Sequence, residues 1–400
     1  MFHLDRSASL ILLVAAGLIV PALFAVPGCS DEPDRREVGG VQPDGDIYHP
    51  VADSIPYIDR DHIPLSRDHS IENAGELPEQ IQVLADYLQS PDGYDDESQN
   101  IDLLLNSHTR AEYASLSSER VIIHDLLDDR LYDYNLTEGE GTKLNKHGEG
   151  PGDLNSTMQI ARQDDDIYVS MHTRRIAQFN CAAEPCEFYE QRTTPEIRPE
   201  AITVTSDSLI AAISIEGRDI ADSGYQEGLV RLIDTNGDGK GGFGTGYLST
   251  VPIVREMLLR DSDLEWVEAA NKYVVMFLST PFIYVYDEGG EISATFEIKD
   301  YVPHFFGYRV AEDRGRMWGQ SATRLMGIDN INTEYVVLRA VTIAENESDV
   351  TFDYYALNLQ EMKGYHIGSN ESTLFEQHNL VTTEYGLVRV TRDSLGFIPF

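Results

Sequence analysis

The chain has 400 residues, 42% of them apolar, enough to bury a large core without help from disulfides or metals. Its 68 Asp and Glu stand against 30 Lys and Arg, a net charge of −38, and lysine occurs only at Lys143, Lys146, Lys240, Lys272, Lys299 and Lys363. Such a surface repels nucleic-acid phosphates and anionic lipid headgroups, which argues against a direct nucleic-acid role. Self-repulsion of this size leaves two readings open, adaptation to a salty environment that screens it or an ordinary solvated acidic face.

Residues 1–28 read as an export signal: a short head with Arg6, an apolar run from Leu10 to Val26, then small residues before Cys29. Pro21 inside that run argues against a packed spanning helix. Val26-Pro27-Gly28-Cys29 resembles a bacterial lipobox, which implies acylation of Cys29 and a membrane lipid anchor. Pro27 and Asp5 depart from the usual pattern, and Ser30 after the cysteine points to the outer membrane under the usual sorting. Residues 29–75 are polar, acidic and broken by Pro33, Pro43, Pro50, Pro56 and Pro64, as a tether would be; the later part is expected to wrap the folded domain.

Residues 76–400 are expected to be one all-β domain. Gln80–Leu88 fits either a short helix or a strand, another apolar run lies at Ile101–Leu105, and one of these two is expected to supply the strand that closes a ring onto the C-terminal strands. Beyond it a grammar repeats: strand, polar turn, strand, glycine-rich joint. The pairs are Arg120–Ile123 with Arg130–Tyr134, Asp166–Ser170 with Arg175–Phe179, Leu209–Ile213 with Leu229–Ile233, and Tyr273–Phe277 with Ile283–Tyr286. Two more follow, Tyr335–Leu338 with Thr351–Tyr355 and Gly386–Val390 with Ser394–Phe397. About 285 residues in units of roughly 40–50 give about six blades of a β-propeller. Strands this short and this regularly interrupted argue against βαβ units.

The joint Gly148-Glu149-Gly150-Pro151-Gly152-Asp153, set between the first two units, resembles the bacterial six-bladed β-propeller lipoproteins related to NHL-type propellers. The resemblance implies a six-bladed propeller of four-stranded antiparallel blades behind a signal peptide and tether. It implies function weakly, because propellers host binding proteins and enzymes alike.

Three sets of residues carry candidate chemistry. Cys181 and Cys186 bracket Pro185 in a tight hairpin and, in an exported chain, are expected to form a disulfide. Asp234-Thr235-Asn236-Gly237-Asp238-Gly239 matches the first half of a calcium loop, with Asp234, Asn236 and Asp238 as candidate ligands; Thr245 stands where a bidentate Glu belongs, and that missing half favours a bare hairpin turn at Asn-Gly and Asp-Gly over a calcium site. His124 and His172 close strands at matching places in neighbouring units, and His147 lies beside the glycine joint; each is a candidate for a ligand-facing group or a turn residue. No G-x-S-x-G or H-E-x-x-H occurs. The expectation is a monomeric, lipid-anchored envelope propeller that binds or scaffolds a protein, peptide or glycan. The alternative is a metal-assisted lyase or hydrolase at the central channel.

Overall fold

The apolar runs become the middle strands of six four-stranded antiparallel blades arranged as a β-propeller. The computed structural model describes residues 62–91, 94, 99–101, 105, 111–194, 197–214, 229–234, 236–244, 261–278, 280–301, 322–344, 349–373, 379–391 and 394–400. An N-terminal arm comes first: β1 (Ile63–Leu65), helix α1 (Glu79–Gln89) and β2 (Gln99–Ile101). Blade 1 is β3 (Ala111–Ser117), β4 (Arg120–Asp125), β5 (Arg130–Asn135) and β6 (Glu140–Lys143). Blade 2 is β7 (Thr157–Gln163), β8 (Asp166–Met171), β9 (Arg175–Asn180) and β10 (Glu187–Thr193). Blade 3 is β11 (Pro199–Val204), β12 (Ile210–Ser214), β13 (Val230–Ile233) and β14 (Gly239–Phe243). Blade 4 is β15 (Ser262–Val267), β16 (Lys272–Phe277), β17 (Phe282–Asp287) and β18 (Ile292–Ile298). Blade 5 is β19 (Ala322–Asn330), β20 (Tyr335–Ile343), β21 (Asp349–Asn358) and β22 (Lys363–Thr373). Blade 6 is β23 (Asn379–Thr382), β24 (Gly386–Val390) and β25 (Leu395–Pro399), completed by β2 of the arm.

From blade 1 to blade 6 each first strand packs against the next, and blade 6 meets blade 1 through Tyr385 and Ser115, so β3, β7, β11, β15, β19 and β23 wall the central channel. The middle strands are covered on both faces by adjacent blades, as in β4, β8, β12 and β16, where nearly every residue is buried. A strand buried on both faces reads as a continuous apolar run instead of an alternation. The ring closes by antiparallel pairing of β2 with β25, and of the two candidate segments it is the second that reaches this strand, through Ile101. The segment Gln80–Leu88 resolves as helix, with Ile81, Leu84, Ala85 and Tyr87 buried on blades 5 and 6.

The glycine joint connects β6 of blade 1 to β7 of blade 2. Gly150 N–H donates to Asp153 Oδ2 at 3.1 Å, and a Cβ on Gly148 would sit 2.6 Å from the same oxygen. The loop folds around the Asp153 carboxylate, so a side chain at 148 collides with it. The export signal 1–28, Cys29 and the tether as far as Asp61 lie outside the described residues. The rest of the stretch expected as tether, residues 62–75, runs along the ring.

Candidate functional site

The channel wall is built from side chains that cross blade boundaries. At five junctions an acceptor on one inner strand takes a backbone N–H from the next. Glu112 Oε2 accepts from Ile160 N at 2.7 Å, Gln159 Oε1 from Ile202 N at 2.7 Å, and Thr203 Oγ1 from Trp266 N at 2.9 Å. Asp263 Oδ2 accepts from Ile328 N at 2.8 Å, and Asp329 Oδ2 from Thr382 N at 2.8 Å. Gln159 Nε2 also reaches across to Asp263 Oδ1. Between blades 6 and 1 the sense reverses, with Tyr385 N donating to Ser115 Oγ at 3.4 Å. Each bond satisfies a backbone donor that faces another blade, where an unpaired group is costly.

This belt concentrates negative charge. Burial raises the Asp263 carboxyl, and the Glu112 charge adds to it. Burial also raises Glu265 well above the ordinary range, reinforced by Asp263. Asp329 is pushed up to about 6 by burial, even with Arg339 opposing the shift. Asp263 and Glu265 touch water in the channel, yet protein surrounds them in the middle of the ring, and that surrounding governs their charge. The counter-charge comes from the second strand of blade 5: Arg339 Nε donates to Asp329 Oδ1 at 2.9 Å. It passes over Gly327, where a Cβ would lie 2.5 Å from the guanidinium, and β19 shifts register between Leu325 and Gly327.

One face of the ring, called here the upper face, carries the turns between second and third strands and the links between blades. On it the three sequence-flagged histidines each meet a different carboxylate. His124, fully buried, places Nδ1 3.1 Å from Glu112 Oε2, and its Nε2 has no hydrogen-bond partner. His172 Nδ1 lies 3.4 Å from Glu200 Oε1, which Arg198 Nε also contacts at 3.1 Å. His147, with 69% of its side chain exposed, lies 3.3 Å from Asp129 Oδ2. The face is shared, but each histidine keeps its own acid, and among the described residues no three His, Cys, Asp or Glu converge as metal ligands. Leu127, in the same turn as Asp129, is 44% exposed.

The lower face carries the turns from first to second strands and is tied across the ring. Arg162 of blade 2 pairs with Glu384 of blade 6 at 2.7 Å and donates to the Ser115 carbonyl of blade 1 at 2.7 Å. Asn332 of blade 5 donates to the other Glu384 oxygen at 3.0 Å.

The remaining flagged residues lie far along the blades. Cys181 and Cys186 form the disulfide. Its loop docks on blade 1 through Arg120, which binds Asp133 at 2.6 Å and the Cys181 carbonyl at 3.1 Å, while Cys186 N–H donates to Asp133 at 2.9 Å. Asp234, Asn236 and Asp238 occupy the β13–β14 turn. Asp234 Oδ1 accepts from Asn236 N and Asp238 N, and Lys240 Nζ sits 2.8 Å from Oδ2. Lys240, with those backbone donors, holds the Asp234 carboxyl down at about 2.

The fold and the belt define the class: a six-bladed β-propeller. No family model matches the chain, and no curated protein is similar to it by sequence. Among solved structures it is similar to a DUF4221 family member from Bacteroides vulgatus, at 12% identity over 76% of this chain and 95% of that one, with a TM-score of 0.50. It is also similar to a Bacteroides fragilis protein designated as exported, at 11% identity over 82% and 88% of the two chains and TM-score 0.47. Streptogramin B lyase follows at 8% identity, 75% and 96% coverage and TM-score 0.44. At such identities the first likeness speaks to the fold alone.

Proposed function

We propose that this chain is an exported, lipid-anchored propeller that works as a binding or scaffolding module, with the upper rim of blades 1 and 2 as its contact surface. The observation that carries this reading is the division of labour between wall and rim. The wall's Glu112, Gln159, Asp263 and Asp329 are engaged in blade-to-blade bonds. The rim exposes the Leu127 and His147 side chains. An exposed apolar side chain among polar donors on a rigid support is the composition of a protein–protein or protein–glycan contact. The disulfide and the leader-like N-terminus support export to an oxidising compartment. Anchoring through Cys29 follows from its lipobox-like setting and predicts that Cys29→Ala moves the protein from the membrane fraction to the soluble one.

The test of the binding reading is co-purification from detergent-solubilised envelopes of the producing cell. Wild type should carry a stoichiometric partner that Leu127→Asp with His147→Asp loses while the melting temperature stays within a degree or so. A wild-type chain that elutes alone would overturn the reading. The metal-assisted lyase or hydrolase reading draws on the unpartnered Nε2 of His124. A stoichiometric divalent ion in the purified chain, lost in His124→Gln, would favour it. A calcium-dependent rise in melting temperature, lost in Asp234→Ala, would instead place an ion in the β13–β14 turn.

A further inference from the structure

With 68 acids to 30 bases, a cation in this chain is expected to have a carboxylate beside it, and eleven described lysines and arginines do, each at 3.3 Å or less. Lys143, Lys146 and Arg175 have none among the described residues, and all three belong to the upper face of blades 1 and 2. Lys143 ends β6 and Lys146 opens the glycine joint, both exposed. Arg175, at the start of β9, donates from Nε to Thr173 Oγ1 and from Nη1 to the Glu149 carbonyl, both at 3.1 Å. Both acceptors are neutral, so the bonds fix the guanidinium against the joint and leave its charge uncompensated. Lys272, which also lacks an acid, lies on the lower face and donates to Ser293 Oγ at 2.9 Å.

The acids of this rim are already committed. Asp128 pairs with Arg130 at 2.9 Å, Asp129 accepts from Thr157 N at 2.7 Å and meets His147, and the buried Glu200 meets Arg198. Asp153 is folded into the joint, where Gly150 N–H reaches it. Glu149 is the one exposed acid of the joint, set against Lys143, Lys146 and Arg175. Acids elsewhere on the molecule do little to cancel this local excess, because charges more than about 8 Å apart are largely screened at physiological ionic strength. Leu127, 44% exposed in the turn that holds Asp128 and Asp129, adds an apolar contact to the same rim. An apolar side chain beside cations suits a peptide better than a sugar chain. The N-terminal arm lies elsewhere, on blades 4 to 6: β1 pairs in parallel with β18 and buries Leu65, Ser70 bridges to His366 on β22, and β2 completes blade 6.

We propose that Lys143, Lys146 and Arg175 dock an acidic peptide segment of a partner protein, with Leu127 receiving an apolar side chain next to its carboxylates. This rests on the binding reading above and names the chemistry of the partner. The test is a fluorescence-anisotropy titration of the mature full-length chain with a dye-labelled peptide of glutamates around one leucine. Wild type should bind the peptide in about 50 mM salt and lose at least about tenfold in affinity by about 200 mM. Lys143→Glu with Lys146→Glu should weaken binding at least about tenfold and flatten that salt dependence, while Lys272→Glu, on the other face, should leave both unchanged. Neither rim lysine has an ion pair to lose, so the melting temperature of the double variant should match that of the wild type. Binding that survives the double reversal, or that falls equally in Lys272→Glu, would overturn the proposal. A wild type that does not bind the peptide would overturn it too, whether it takes polygalacturonate instead, which would make the ligand an anionic glycan, or pairs with a second copy in light scattering. A chain that fails these tests while still carrying a stoichiometric envelope partner would sink this proposal and spare the binding reading.

Discussion

Arg339 reaches the channel because Gly327 carries no side chain, and what it meets there is a carboxylate that burial makes reluctant to ionise. Removing one partner of such a pair leaves the other buried and uncompensated, at about 3–5 kcal/mol. Arg339→Met should therefore lower stability in urea melts by about that much, and adding Asp329→Asn should recover part of the loss. The channel acids also set a pH dependence. Asp263, Glu265 and Asp329 all have folded values raised above their unfolded ones. Their contribution is fully present below about pH 4 and is lost as pH rises through the folded values. For Asp329 the window runs from 3.8 to about 6. Asp353 works in the opposite sense. Burial would raise it, but hydrogen bonds from His366, Arg67 and Ser369 outweigh burial and hold it down, so its contribution is lost on acidification. In thermal melts between pH 4 and 8 at fixed high salt, Glu265→Gln should flatten the fall of melting temperature with rising pH. Parallel curves for variant and wild type would refute the assignment.

At the level of elements, the disulfide hairpin of blade 2 is a knob held on blade 1. Closing so short a loop restricts the unfolded chain by about 2 kcal/mol. Arg120→Ala removes more, because it strands the buried Asp133 carboxylate that also accepts from Cys186 N–H. The expected order in calorimetry is that Arg120→Ala destabilises beyond the joint Cys181→Ser and Cys186→Ser replacement; the reverse order would show that covalent closure dominates. The sequence located the two middle strands of all six blades, because adjacent blades cover them on both faces and apolar residues predominate there. It did not locate β6, β10 or β14. Edge strands such as Glu140–Lys143 and Gly239–Phe243 lie in water and carry no apolar period. The belt acids were hidden for another reason. Glu112, Asp263 and Asp329 are three among 68 acids, and nothing in one sequence separates an acid that bonds a neighbouring blade from one that faces solvent.

Across the whole molecule, the arm and the charge act together. Leu65→Ala should cost about 2–5 kcal/mol, the usual range for emptying a fully buried leucine site, and should loosen β1 in hydrogen exchange before it affects blades 1 to 3. With a net charge of −38, raising sodium chloride from about 0.1 M to about 1 M shortens the screening length from about 10 Å to about 3 Å and should raise the melting temperature. A melting temperature independent of salt would show that the charges are spread too thinly to repel.

The sequence alone determined the blade count, the joint at Gly148–Asp153 and the pairing of Cys181 with Cys186. Those features rest on neighbours close in the chain: a doubly buried strand, a loop folded round its own aspartate, two thiols on one hairpin. Only the tertiary structure decided that His124, His147 and His172 share a face yet keep separate acids, that Arg339 balances the channel, and that the arm runs from blade 4 to blade 6. These depend on residues separated by whole blades, whose meeting is set by ring closure and leaves no period in the sequence.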